Sequence, residues 1–232
     1  MPSSLSARKN MAALSVIIVA AGTSQRMGFD KLSEPLAGKM VLAWSIEAFL
    51  SLPDVLEIIV ACPERLWQAL GSLSEHELLR RVDGGATRQE SVACGLNLAR
   101  GTWAAVHDGA RPLIQPNDIQ RCFNQAMATG AAALASRITA TLKRADNASF
   151  VRESIDRDGV WAMETPQIAL TENLRQAYQL VADEQHIITD EVSAMQLANF
   201  PTKLLESTFP NIKITSPSDL AMAKALVASL QS

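Results

Sequence analysis

Three short segments of the chain combine glycine with charged side chains in ways that could handle a polyanion. The first is Ala20-Ala21-Gly22-Thr23-Ser24-Gln25-Arg26-Met27-Gly28-Phe29-Asp30-Lys31. Gly22 lets the backbone come close to a ligand, exposed amides in such a loop can cradle phosphate oxygens, and Arg26 and Lys31 add two cations. It is neither of the two familiar glycine motifs. A dinucleotide fingerprint needs glycines where Ser24 and Met27 stand, and a Walker loop needs Gly-Lys-Ser/Thr where the chain reads Met27-Gly28-Phe29. The second segment is Asp83-Gly84-Gly85-Ala86-Thr87-Arg88-Gln89-Glu90-Ser91, two glycines ahead of a helix N-terminus, which favours an anionic or polar group. The third is His107-Asp108-Gly109-Ala110-Arg111-Pro112, where an acid directly after a buried strand is a natural ligand for a phosphate-bound Mg²⁺, directly or through water. His107 is assigned to packing, since no Ser or Cys nucleophile pattern accompanies it. Taken singly, each segment reads equally well as a flexible turn, a capped glycine turn or an Asp-capped turn with a structural Arg. Taken together they read as a nucleoside triphosphate site without a Walker motif.

The elements that must position these loops follow from periodicity. Ser15 to Ala20 is a continuous apolar, β-branched run, as expected of a strand buried on both faces. Further strands are expected at Leu56–Ala61, Leu79–Val82, Trp103–His107, Ala131–Ala135 and Lys203–Glu206. Helices are expected at Val41–Leu50, Glu64–Leu70, after the Thr87-x-x-Glu90 capping box, at Asp118–Ala128, Glu172–Ala182 and Asp190–Leu197, and after Ser216-Pro217-Ser218-Asp219. This alternation predicts an α/β fold with a mostly parallel twisted sheet flanked by helices. In such sheets ligands sit beyond the carboxyl ends of the strands. Ser136 to Pro166 breaks the pattern with mixed Thr, Arg, Lys and Asp and no helical stripe, and is expected to be a protruding β-arm at about 137–165. Residues 1–10 read as a disordered tail and 11–232 as one domain.

Composition sets the outer limits. The 232 residues are 48% hydrophobic and carry a net charge of −3, which argues against a general nucleic-acid coat while leaving room for a local basic pocket. The chain has no apolar run of membrane-spanning length, and its three cysteines are too widely spaced for a zinc site or a disulfide framework. A cytoplasmic protein with reduced thiols, no membrane and no nucleic-acid partner is expected.

With these motifs in hand, the sequence resembles the 2-C-methyl-D-erythritol 4-phosphate cytidylyltransferases of the non-mevalonate isoprenoid pathway, from Val16 to about Leu230. The resemblance is carried by Ala20-Ala21-Gly22 with Arg26-Met27, by Val82-Asp83-Gly84-Gly85 with Arg88 and Ser91, and by His107 to Pro112. It continues through Thr141-Leu142-Lys143, Ile155 to Trp161, Thr165-Pro166-Gln167, Thr189-Asp190-Glu191 and Asn211-Ile212-Lys213-Ile214-Thr215. It implies a Rossmann-like nucleotidyltransferase fold and in-line attack of the acceptor's phosphate on the α-phosphorus of CTP, with pyrophosphate leaving and Mg²⁺ on the triphosphate.

The same resemblance assigns Arg26 and Lys31 to catalysis, and Ala20, Ala21, Gly22, Gly85, Ala86, Ser91, Asp108 and Gly109 to CTP. Asp108 would also lie near the metal. Arg111, Thr141, Arg157, Thr165, Thr189 and Lys213 are assigned to the methylerythritol phosphate. The arm, with Thr141 and Arg157, would embrace a second subunit and make a homodimer with composite sites. Three features depart from the family pattern: the first loop is short and ends Phe29-Asp30-Lys31-Leu32, Gly109 replaces a more usual alanine, and Ala86 stands where an acid is common. A ribitol-5-phosphate cytidylyltransferase, another nucleotidyltransferase of the same fold such as those of the molybdenum cofactor, and a non-catalytic nucleotide-binding protein remain the alternatives.

Overall fold

A computed structural model describes residues 13–22 and 30–231. The expected tail and Arg26 lie outside the described residues. The chain runs β1 (Leu14–Val19), a two-residue-per-strand hairpin β2 (Pro35–Leu36) and β3 (Lys39–Met40), α1 (Val41–Leu50), β4 (Val55–Ala61) and α2 (Glu64–Ala69). Next come a 3₁₀ turn (Gly71–Glu75), β5 (Leu79–Val82), α3 (Arg88–Leu98), β6 (Trp103–Asp108), α4 (Pro116–Thr129) and β7 (Ala131–Arg137). The remainder is β8 (Leu142–Ala145), β9 (Val151–Ile155), β10 (Trp161–Leu170), α5 (Thr171–Asp183), α6 (Glu191–Leu197), β11 (Lys203–Glu206) and α7 (Pro217–Gln231).

Seven strands form the central sheet in the order β11-β7-β10-β6-β1-β4-β5. All pairings are parallel except those of β10, which runs antiparallel to both β6 and β7. The apolar run of β1 makes sense here, because its side chains alternate between two cores. Val16 and Ile18 pack with α1, α4 and α7 on one face, while Ile17 packs with α3, α5 and α6 on the other. The second contact is close: a Cβ added at Gly95 of α3 would lie 2.5 Å from Ile17 Cγ2.

Within residues 137–165, β8 and β9 pair with each other in a two-stranded sheet apart from the central one. Trp161–Leu170, read from sequence as the arm's return, is a ten-residue strand in the middle of the main sheet. Its polar residues hide it from a hydropathy reading. Glu164, Thr165 and Gln167 are all buried, and each is hydrogen-bonded within the structure, which makes their burial tolerable.

His107, near the end of β6, is fully buried and edge-on to Phe49, as its assignment to packing requires. Thr165 Oγ1 accepts the Asp108 N–H at 3.1 Å and lies 3.0 Å from His107 Nδ1, so its own hydrogen goes to that nitrogen. The ring proton is therefore assigned to Nε2, which donates to the Arg111 carbonyl at 3.2 Å. Burial pushes the imidazole down to about 4, against the opposing pull of Asp108.

Two outcomes follow from this packing. Gly95→Ala should lower the urea midpoint, with overpacking against Ile17 outweighing the helix-propensity gain by about 1–2 kcal/mol; an unchanged midpoint would show that α3 can retreat from β1. A neutral buried imidazole binds no proton until about pH 4, whereas in the unfolded chain it titrates near 6.5. Its contribution is thus fully present above about pH 6.5 and is lost as pH falls towards 4, about 3 kcal/mol in all. Urea unfolding at several pH values should show this slope in the parent chain and a flatter one in His107→Gln.

Candidate active site

The parallel registers place the ends of four strands in one row. Asp108 of β6 pairs with Val19 of β1, Val19 with Ala61 of β4, and Ala61 with Val82 of β5. The loops after these strands emerge on the same edge. The cleft lies there, beside β1, where the chain order switches from β4 and β5 on one side of β1 to β6 on the other. It has a volume of about 200 Å³, and its lining includes Val19 to Gly22, Lys31, Gly85 to Arg88, Ser91, Asp108 and Lys213. Among the described lining residues, Lys31, Arg88 and Lys213 are positive and Asp108 alone is negative. In a chain of net charge −3, this is a local positive focus for a polyanion.

The second loop is held by its own side chains. Thr87 Oγ1 accepts the Glu90 N–H, the Glu90 carboxylate accepts the Ala86 N–H at 2.7 Å, and Ser91 Oγ accepts the Gly85 N–H at 3.1 Å. A Cβ at Gly84 would sit 2.2 Å from Ala21 Cβ, so glycine there is what lets the first and second loops touch. With the Gly85 and Ala86 amides already engaged, the carbonyls of this segment are what it can offer a ligand.

Asp108 is 6% exposed and is surrounded by cations from three segments. Arg88 Nε donates to Oδ1 at 3.0 Å, Lys213 Nζ lies 2.8 Å from Oδ2, and Arg111 Nε lies 3.6 Å from Oδ2. Burial alone would raise the Asp108 carboxyl, but Arg88, Lys213 and Arg111 outweigh it and hold the group well below the usual carboxylate range. Arg88 is partly buried. Its desolvation is overcome by Glu191 and Asp108, which push it above the ordinary guanidinium value. Lys213 sits in an irregular segment after β11, not in the alternating strand that Asn211-Ile212-Lys213-Ile214-Thr215 suggests. Ile214 is fully buried and its N–H donates to Ala110 O at 2.8 Å, which holds Lys213 over the cleft.

Several expected ligand residues are placed otherwise. Arg111 does not line the cleft. Its terminal nitrogens donate to the Asn211 and Met163 carbonyls at 2.7 and 3.2 Å, so it braces the Lys213 segment against β10. The Thr165 hydroxyl is buried and fully committed between Asp108 N–H and His107, so it supports the site from beneath. Gly109 packs on Leu42 and Ile18, with its carbonyl taken by Ser45 Oγ. Thr189 is exposed beside Ser193, and Thr141 and Arg157 are exposed on the arm. Ala20, Ala21, Gly22, Lys31, Gly85, Ala86, Ser91, Asp108 and Lys213 do come together around the cleft.

Two residues missing from the expected site belong to its charge network. Arg88 reads in sequence as the first residue of a helix, and Glu191 as an ordinary acid in a helix's first turn. The available signal was that the motifs carrying the resemblance contain both.

No group of three or more His, Cys, Asp or Glu side chains among the described residues is arranged to hold a metal. Among the described lining residues Asp108 is the one carboxylate. That donor set fits a Mg²⁺ that arrives on substrate phosphates and takes a single protein carboxylate, not one held in an all-protein cage.

Comparison with known proteins agrees with this architecture. The family model described as 2-C-methyl-D-erythritol 4-phosphate cytidylyltransferase matches residues 14–229. The enzyme of that name from Aeromonas hydrophila is 38% identical over 213 residues, covering 90% of this chain and 88% of the relative. One from Prochlorococcus marinus is 36% identical over 217 residues, covering 91% and 96%. The crystal structure of the Thermus thermophilus cytidylyltransferase superposes with a TM-score of 0.80 at 30% identity, covering 93% of this chain and 99% of that one. The Francisella tularensis structure gives 0.81 at 29% identity, covering 92% and 99%. The chain belongs to the 2-C-methyl-D-erythritol 4-phosphate cytidylyltransferase family.

Proposed function

We propose that the protein transfers CMP from CTP to 2-C-methyl-D-erythritol 4-phosphate, releasing pyrophosphate and serving isoprenoid precursor synthesis. Besides family membership, the observation that carries this reading is the cleft itself: three cations and one carboxylate at the carboxyl ends of β1 and β6, beside two glycine loops. Such a site works by holding the acceptor phosphate in line with the α-phosphorus and by compensating the charge that builds there and on the leaving group.

In this reading Lys31, with Arg26, stabilises the triphosphate, and the Ala20–Gly22 and Gly85–Ala86 backbone meets the nucleotide beside Ser91. Lys213 holds the acceptor phosphate. Asp108 would hold a Mg²⁺ carried in on CTP, and the ion would neutralise charge on the phosphate oxygens. Arg157 and Thr141 serve the cleft of a second subunit through the arm. Support comes from the arm's composition, its separate sheet, and the 67% and 63% exposure of Phe150 and Val151 at its tip, apolar surface suited to a partner chain. No described helix is long and apolar enough to cross a membrane, and a cytoplasmic location fits the buried thiols of Cys62 and Cys122.

The direct test is pyrophosphate release from CTP against a panel of polyol phosphates. Turnover with methylerythritol phosphate well above that with ribitol 5-phosphate supports the reading, and the reverse order transfers it to the ribitol enzyme. Tight CTP binding with no release on any acceptor makes the chain a binding protein. Lys31→Ala should lower turnover about 10²–10³-fold, as for loss of one preorganised charge-stabilising donor; turnover within about threefold of the parent would remove Lys31 from the chemistry. Lys213→Ala and Arg157→Ala should each weaken the acceptor with CTP affinity little changed. If the site is composite, mixing the two impaired variants should restore acceptor use in part, because one cleft of the mixed dimer then has both Lys213 and its partner's Arg157. Failure of the mixture to recover, with subunit exchange demonstrated, would place Arg157 and Lys213 in the same subunit's site.

A further inference from the structure

Glu191 is a buried charge that does not line the cleft. It stands at the first residue of α6, 2% exposed, and a carboxylate so placed is unfavourable unless it is paired and hydrogen-bonded. It is paired twice over. Arg88 donates both terminal nitrogens to it in a fork, at 2.8 and 3.0 Å, and Tyr178 O–H of α5 donates to Oε1 at 2.9 Å. Three helices are thereby joined behind the cleft.

The consequence lies in what Arg88 has left. Each terminal nitrogen turns one N–H to Glu191, and in the orientation this fixes, Arg88 meets Asp108 through Nε alone, with one bond to Oδ1. Oδ2 faces Lys213 Nζ at 2.8 Å, while Arg111 Nε, at 3.6 Å, is beyond hydrogen-bond distance. A guanidinium beside a lone carboxylate tends to take it through two parallel bonds. Arg88 in that arrangement would occupy both oxygens of Asp108 and cancel its charge, leaving Lys213 without its counterion.

We propose that Glu191 is a positioning residue for the transfer reaction: its fork with Arg88 fixes the guanidinium so that it meets Asp108 through Nε at Oδ1 and leaves Asp108 Oδ2 for setting Lys213. Tyr178 fixes the orientation of Glu191 and shares the role at one remove. The inference rests on the cytidylyl-transfer reading, in which Lys213 meets the acceptor phosphate.

The test is Glu191→Gln, which keeps the size of the side chain and removes the charge. CTP and acceptor are varied separately in steady state, CTP binding is titrated directly, and thermal midpoints are recorded. We expect the acceptor KM to rise, lowering kcat/KM for the acceptor about tenfold, while kcat at saturating acceptor and the CTP Kd stay within about threefold; loss of folded protein would instead lower kcat and leave KM unchanged. Arg88→Lys should show the same split, because an ammonium cannot make the fork. Tyr178→Phe should show a smaller loss in the same direction. Acceptor kcat/KM within about twofold of the parent in Glu191→Gln overturns the proposal, and so does a parallel loss of CTP binding and acceptor use. If Glu191→Gln does not fold, Tyr178→Phe decides by the same criteria. A parent chain that releases no pyrophosphate with CTP and methylerythritol phosphate overturns the functional reading and this inference with it, whereas an active parent with indifferent variants overturns the inference alone.

Discussion

A carboxylate buried at the end of a central strand must be compensated, and in this protein the compensation of Asp108 organises the site. One oxygen is bonded by Arg88 from the first turn of α3, and the other faces Lys213 from the segment after β11, with Arg111 close by from the turn after β6. Without those cations the desolvated carboxylate would be too unfavourable to keep ionised. With them, three parts of the chain distant in sequence are drawn to one edge of the sheet. The surplus positive charge that results suits the cleft to a polyanion.

The same demand reaches below the cleft. Met163 to Gln167 of β10 is a polar stretch in the middle of the sheet, and almost every polar group in it is tied to a different element. Glu164 accepts from Ser207 and Asn211, Thr165 accepts from Asp108 N–H and meets His107, and Gln167 bonds both Asp190 and the Val192 amide. This is the segment by which the chain comes back from the arm. The base of the arm, the Lys213 segment and the start of α6 therefore share one hydrogen-bonded support, and Arg111 adds a bond from the site to Met163. Most members of this network are satisfied, Asn211 Oδ1 and Arg111 Nε excepted, and satisfied buried polar groups rigidify their surroundings.

This support also explains where local reading stopped. Strands β1, β4, β6 and β7 were legible because strands buried on both faces are continuous apolar runs, and α3 because Thr87 and Glu90 mark its start. β10 was not, since Glu164, Thr165 and Gln167 look like arm or loop until their partners from residues 107, 190, 207 and 211 are in place. Arg111 and Thr165 have the right chemistry for substrate contact, yet the structure turns their donors and acceptors inward. Glu191 was passed over because an acid in the first turn of a helix has an ordinary local explanation.

The amino-acid sequence by itself determined the alternation of strands and helices, the glycine-bearing loops that follow the strands and the family to which the chain belongs. These are properties of short segments, in which side-chain period, glycine position and capping residues act over a few positions. Only the tertiary structure decided which cations face Asp108, which polar groups in β10 are buried, and whether a given Arg or Thr lines the cleft or braces it. Those choices depend on pairings between residues up to about a hundred positions apart, such as Arg88 with Glu191 and Arg111 with Asn211. A buried charge or hydroxyl takes its role from the partner that satisfies it, and that partner is known only once the chain has folded.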